Sequence, residues 1–139
     1  MLKELLRIEE KLTAWVEWVD GIEFHLSYIG RPELEQLTSQ ATKTVFVKHQ
    51  AVEKMDDQRF LTGLIKRTVL DWRGVTAGKL ANILPLDITG VGADTDIPFS
   101  VDDMAVIADN AYGFGEWLRQ QITDLTIFQA ERLEDDIKN

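Results

Sequence analysis

The sequence predicts an α+β fold, mainly α-helical, with an N-terminal β-hairpin packed on a small helical domain. Three observations carry this. Asp20-Gly21 sits between two runs rich in Trp, Val, Ile, Phe and Tyr, "TAWVEWV" and "IEFHLSYIG". Asp-Gly tolerates positive φ at both turn positions and is a strong two-residue hairpin signal. Downstream, apolar residues recur at spacings of three and four, the period of an amphipathic helix. The 139 residues, 45% hydrophobic and 28% charged, match one globular domain that can bury its own core. We therefore expect a single domain over residues 1–139. Its hairpin covers about 13–29, its helical part about 31–136, and a long loop about 75–99.

The elements follow in chain order. "LKELLRIEEKL" places Leu2, Leu5, Leu6, Ile8 and Leu12 at mostly helical spacing, which reads as a short helix, although a strand could begin inside it. A two-residue turn at Asp20-Gly21 would set Val19 opposite Ile22, Glu17 opposite Phe24 and Trp15 opposite Leu26. The other face would then carry Val16, Trp18, Glu23 and His25. "GRPELEQLTSQATK" reads as a helix, with Pro32 at its first position and Glu33 and Glu35 near the positive end of the dipole. "TVFV" is either a short strand or an irregular apolar patch. Asp56 or Asp57 caps the next helix, "DQRFLTGLIKRTVLDW". Its inward stripe is Leu61, Leu64, Ile65, Thr68, Val69 and Trp72, and Gly74 is placed as its left-handed C-cap.

Residues 75–99 are rich in Gly and carry Pro85 and Pro98. They keep no period, and so long a loop suggests a functional or mobile segment. Ser100 and Asp103 match a capping box ahead of a short helix, "VDDMAVIADNA". The last helix, "GEWLRQQITDLTIFQAERLEDDIK", carries Phe114, Trp117, Leu118, Ile122, Leu125 and Phe128 and fades into a polar end.

Charge and composition narrow the function. The net charge is −9, and it is uneven. Residues 1–75 hold 11 basic and 12 acidic side chains, whereas residues 100–139 hold three basic and nine acidic. That balance disfavours nucleic-acid binding and favours solubility or a basic partner. The absence of cysteine excludes disulfides and thiolate metal sites. No apolar run reaches the roughly 20 residues a membrane span needs, and acidic residues near the N-terminus argue against a signal peptide.

No motif supplies chemistry. His25 and His49 belong to no metal-binding spacing. Ser27 lies two residues from His25 without an orienting third group, so packing outweighs a nucleophile there. "GVGAD" lacks the Gly-Lys-Ser/Thr ending of a phosphate loop. Asp94 and Asp96 supply two alternate positions of a calcium loop and no more. No catalytic, cofactor-binding or metal residue is assigned, and no cofactor is expected. The four Trp and six Phe are most simply core. Any surplus at the surface would form a protein-binding patch, for which Phe114, Trp117, Ile127 and Phe128 are the candidates.

The order of motifs carries a resemblance. A "WVDG" hairpin leads to "YIGRPELEQL", close to a Tyr-Ile-x-Arg-x-Glu-Leu pattern. "VLDWRGV" follows, then a Gly-rich loop, "IPFSVDDMAVIADN", and an aromatic helix. From about Trp15 to Phe128 the chain resembles the small tail assembly chaperones of long-tailed bacteriophages and prophages. The resemblance implies a non-enzymatic, mainly helical protein of the host cytoplasm that is absent from the finished virion. Such a protein binds the tape-measure protein, keeps it soluble and helps recruit tail-tube subunits. In many phages a programmed frameshift extends a fraction of the chains. The alternatives are a structural component of the tail or neck, a small enzyme of unknown class, and an acidic mimic that blocks a nucleic-acid-binding protein.

Overall fold

The computed structural model describes residues 1–6 and 11–130. Among the elements are α1 (Leu2–Leu5), β1 (Thr13–Val19), β2 (Ile22–Ser27), α2 (Arg31–Ala41), β3 (Thr42–Val47) and β4 (Gln50–Met55). These are followed by α3 (Asp57–Thr68), β5 (Val69–Arg73), α4 (Ala77–Ala81), α5 (Val101–Asn110) and α6 (Phe114–Ile122). Residues 125–130 add a further helical stretch. Of the described residues 45% are helix and 25% strand, a mixed α+β fold richer in strand than the mainly helical expectation. The expected helical part contains three strands. Ile8 and the polar end beyond residue 130 lie outside the described residues.

β1, β2 and β5 form an antiparallel sheet in the order β1-β2-β5. Asp20 and Gly21 take φ of 50° and 76°, the primed turn whose twist suits a hairpin. The expected register holds only at the Val19–Ile22 pair. A bulge between Glu17 and Val19 then pairs Glu17 with Glu23, Val16 with Phe24 and Trp15 with His25. One inserted residue moves every later side chain to the opposite face. Ala14 and Val16 join Ile22, Phe24 and Leu26 on the core face. Trp15 and Glu17 share the outer face with His25 and Glu23, reversing the expected assignment.

α3 begins on Asp56, whose carboxylate accepts from the Arg59 N–H at 3.1 Å. Asp56→Ala should cost about 1 kcal/mol. A urea midpoint equal to that of the wild type would remove the capping role. α3 buries Phe60, Leu64, Ile65 and Thr68, and the Thr68 hydroxyl is satisfied by the Leu64 carbonyl at 2.7 Å. The helix ends there, not at Trp72, and Val69 enters β5 directly. Leu26 pairs with Val69 and Phe24 with Trp72, and the register shift between these pairs makes Leu70 the inserted residue. Val69 and Trp72 therefore both face the core, 6% and 5% exposed. Gly74 is correspondingly not a helix cap. It has φ of +71°, and a Cβ there would lie 2.5 Å from the Gly21 carbonyl oxygen. It lets the end of β5 touch the β1–β2 turn.

The core lies between the sheet and the helices α3, α5 and α6. Trp18, Phe24, Phe114 and Trp117 form an aromatic cluster with centroid separations from 5.3 to 6.2 Å. Residues 75–99 form a tethered clasp. Ala77 donates to Thr95 O, Gly78 to Ala93 O and Ile97 to Val75 O, and the Trp72 indole N–H donates to Ile97 O at 2.7 Å. The segment is not loop throughout, since it contains α4, and its own Val75, Ala77, Leu80 and Leu84 are buried. Ser100 caps α5 as expected, accepting from Asp103 N–H at 3.0 Å.

β3 and β4 form a separate two-stranded sheet between α2 and α3. Its turn, Lys48-His49, adopts φ of 51° and 66°, again a primed turn, here without Asn, Asp or Gly. "TVFV" is thus a strand, and its partner β4 carried no expectation. At the root, Asp56 N–H donates to Ala41 O at 2.8 Å. Thr42, Val45 and Met55 are half-buried, and every other residue of the ribbon is exposed.

Candidate protein-binding surface

The four candidate binding residues face inward. Phe114 and Phe128 are 0% exposed. Trp117 and Ile127 are half-buried and pack against the core. Phe114 meets Trp18 edge-on at 5.3 Å, and Phe128 meets Tyr28 at 5.7 Å. The expected last helix is broken at Thr123-Asp124 into α6 and the stretch 125–130. Each turns its apolar side to the core, which leaves Phe114 and Phe128 no surface for a partner and Trp117 and Ile127 only a part of theirs.

Exposed apolar surface lies elsewhere. Phe46 is 76% and Val47 52% exposed on β3, and Val52 is 43% exposed on β4. The adjoining rim of the molecule carries a groove of about 630 Å³ between α3 and α6. Met55, Phe60, Leu61 and Leu64 line its floor, and Asp57 and Glu116 stand at its edges. Gly115 brings α6 close to α3, since a Cβ there would sit 3.4 Å from Leu61 Cδ1. The Arg119 guanidinium lies 5.8 Å from the Phe60 ring centroid, a cation–π contact that covers one edge of the apolar floor. Leu61 also lines a smaller groove of about 220 Å³ against α5, with Ile65, Val101 and Ala105. Groove and ribbon both flank α3, and Met55 belongs to each. Leu2, Leu5 and Leu6 are exposed as well.

The sequence signal for this surface was weak. Phe46 and Val47 sit in an apolar run that could be placed no better than a strand or a patch. The groove needs the mutual approach of α3 and α6, which spacing within either helix does not reveal.

The polar candidates take structural positions. His25 stacks on Trp15 with centroids 4.8 Å apart and planes 13° apart. The Arg73 guanidinium lies 4.2 Å from the centroid of a Trp15 ring and also grips Glu23 through two bonds of 3.1 and 3.2 Å. Ser27 is fully buried and accepts from Arg67 at 3.1 Å, while Arg67 also pairs with Glu33. A hydroxyl held by a guanidinium is satisfied as an acceptor and has no base beside it. The Asp87 carboxyl is held below its usual range by the Thr89 hydroxyl and then by the Thr89 N–H, a local turn on the exposed clasp. Among the described residues no group of three or more His, Asp or Glu is arranged to hold a metal ion. No helix among them is long and apolar enough to cross a membrane.

Comparison with protein-family models, with curated proteins and with solved structures found no match in any of the three.

Proposed function

We propose that this protein is a tail assembly chaperone of a long-tailed bacteriophage or prophage. It binds the apolar, helix-forming tape-measure protein in the host cytoplasm, keeps it soluble and helps recruit tail-tube subunits. One observation supports the structural side of this reading: on a chain of net charge −9 the β3–β4 ribbon leaves Phe46, Val47 and Val52 open to solvent, beside an α3–α6 groove lined by the half-buried Met55 and Leu61. An apolar groove between two helices suits the apolar face of a third helix. An acidic exterior keeps the resulting complex in solution. The motif order from Trp15 to Phe128 supplies the biological side.

The test is coexpression with the tape-measure candidate encoded beside this gene. That protein should become soluble and copurify with the chaperone. Leu61→Lys, which places a cation on the groove floor, should abolish copurification while the circular dichroism spectrum stays native. A tape-measure protein that remains insoluble, with nothing copurifying, overturns the reading. Proteomics of purified virions should find the chain absent, and its presence would mark a structural tail or neck component instead.

A further inference from the structure

We propose that the β3–β4 ribbon is a docking arm whose occupant is a second copy of this chain, seated on the outward face of α5. This goes beyond tape-measure binding and is tested without it.

The arm gains little cover from its own chain. Six-residue strands extend it by roughly 20 Å, it adds no strand to the larger sheet, and beyond the root every residue but the half-buried Val45 is exposed. A two-stranded hairpin with no covered face is marginal in water. Its Lys48-His49 turn adds the cost of two non-glycine residues at positive φ.

The arm's charge indicates what covers it. Residues 42–55 hold Lys43, Lys48 and Lys54 against Glu53, a net of +2, so the rest of the chain carries −9 − (+2) = −11. Lys43 and Lys54 are direct cross-strand partners, and Val45 pairs with Val52 on the same face. Like charges directly opposite are unfavourable unless an anionic surface lies over them. The same lysines oppose edge-to-edge pairing of two arms, which leaves an acidic counterpart.

α5 presents one. It buries Met104 and Ile107, which turns Asp102 and Val106 outward by helical spacing. Asp109, also exposed, accepts from the Gln58 side-chain amide of α3 at 3.0 Å through one carboxylate oxygen. Val101 is 55% and Val106 45% exposed, and Tyr112 just beyond the helix is fully exposed. Apolar residues flanked by carboxylates on α5 complement apolar residues flanked by ammonium groups on the arm. In the single chain both surfaces remain exposed, although Val101 and Asp109 also border the groove against α3. Reciprocal exchange, each arm on the other copy's α5, closes both at once with two-fold symmetry.

Sedimentation velocity of the full chain tests this, across protein concentration and between about 0.05 and about 1 M salt, over which the screening length falls several-fold. The wild type should self-associate, and more weakly at high salt. Lys43→Glu with Lys54→Glu should weaken association about tenfold or more, and so should Asp102→Lys with Asp109→Lys. Equal amounts of the two double variants, each checked for native circular dichroism, should associate with one another again. A wild type that is monomeric throughout overturns the proposal. So does an arm variant that associates as the wild type does, or a mixture of folded variants that stays monomeric.

Discussion

Replacing Phe114 with alanine is expected to destabilise the protein by about 3–5 kcal/mol, the range for removing a fully buried aromatic side chain. Phe114 has no exposed surface and touches Trp18, Phe24 and Trp117 at centroid distances of 5.3, 5.6 and 5.9 Å. Its loss opens a cavity where the sheet meets α6 and removes three aromatic contacts, each adding about 0.5–1.5 kcal/mol to area burial. Because domains of this kind are stable by only about 5–15 kcal/mol, the variant should show a much lower urea midpoint. Phe46→Ala makes the informative comparison. That ring is 76% exposed, and its removal should change stability by no more than about 0.5 kcal/mol. The two phenylalanines thus separate folding from binding. If Phe114 served a partner and not the core, the order of the two effects on stability would reverse, and the packing described for α6 would be wrong.

That contrast also explains what could be read in the sequence. A large apolar residue on a helical stripe is legible as inward-facing, but the sequence does not say whether the face it meets belongs to the same chain. Phe114 meets Phe24, which is 90 residues away. Local signals were reliable where their chemistry is local. Asp20-Gly21 made a primed turn, Asp56 and Ser100 capped helices, and Pro32 lies in the first turn of α2, one residue after the expected first position. Register and element type failed where an inserted residue mimicked another period. The bulge between Glu17 and Val19 exchanged the faces of β1. At Leu70 a second insertion put Val69 and Trp72 on the same side of a strand. Three-residue spacing on one side is the mark of a helix, so β5 read as the last turn of α3. The arm was half legible for a related reason. Lys48-His49 adopts the geometry of an Asn-Gly turn without its residues, so nothing marked β4 as the return strand, and the surface built on it stayed hidden.

Gly74→Val is expected to cost about 3 kcal/mol or more, above the roughly 1 kcal/mol that a displaced helix cap would give. Two effects combine. At φ of +71° a β-branched residue carries the left-handed penalty of roughly 1–2 kcal/mol. Its Cβ would also stand 2.5 Å from the Gly21 carbonyl oxygen and 3.5 Å from the Gly21 carbonyl carbon. That neighbour is backbone in a tight turn and cannot rotate away, so the β1–β2 turn must separate from the end of β5. The Lys79 ammonium, bonded to Gly74 O at 3.0 Å, would lose its seat as the strand end moves. Gly90→Val isolates the first effect, because Gly90 has φ of +82° but nothing within 4 Å of its virtual Cβ. For a chain of this size about 3 kcal/mol corresponds to a fall of roughly 10 °C in melting temperature, against about 3–6 °C for the conformational penalty alone. Equal shifts for the two variants would mean that β5 and the hairpin turn do not meet at Gly74. A larger fall for Gly74→Val ties the joint between α3, β5 and the clasp to a backbone contact that only glycine permits.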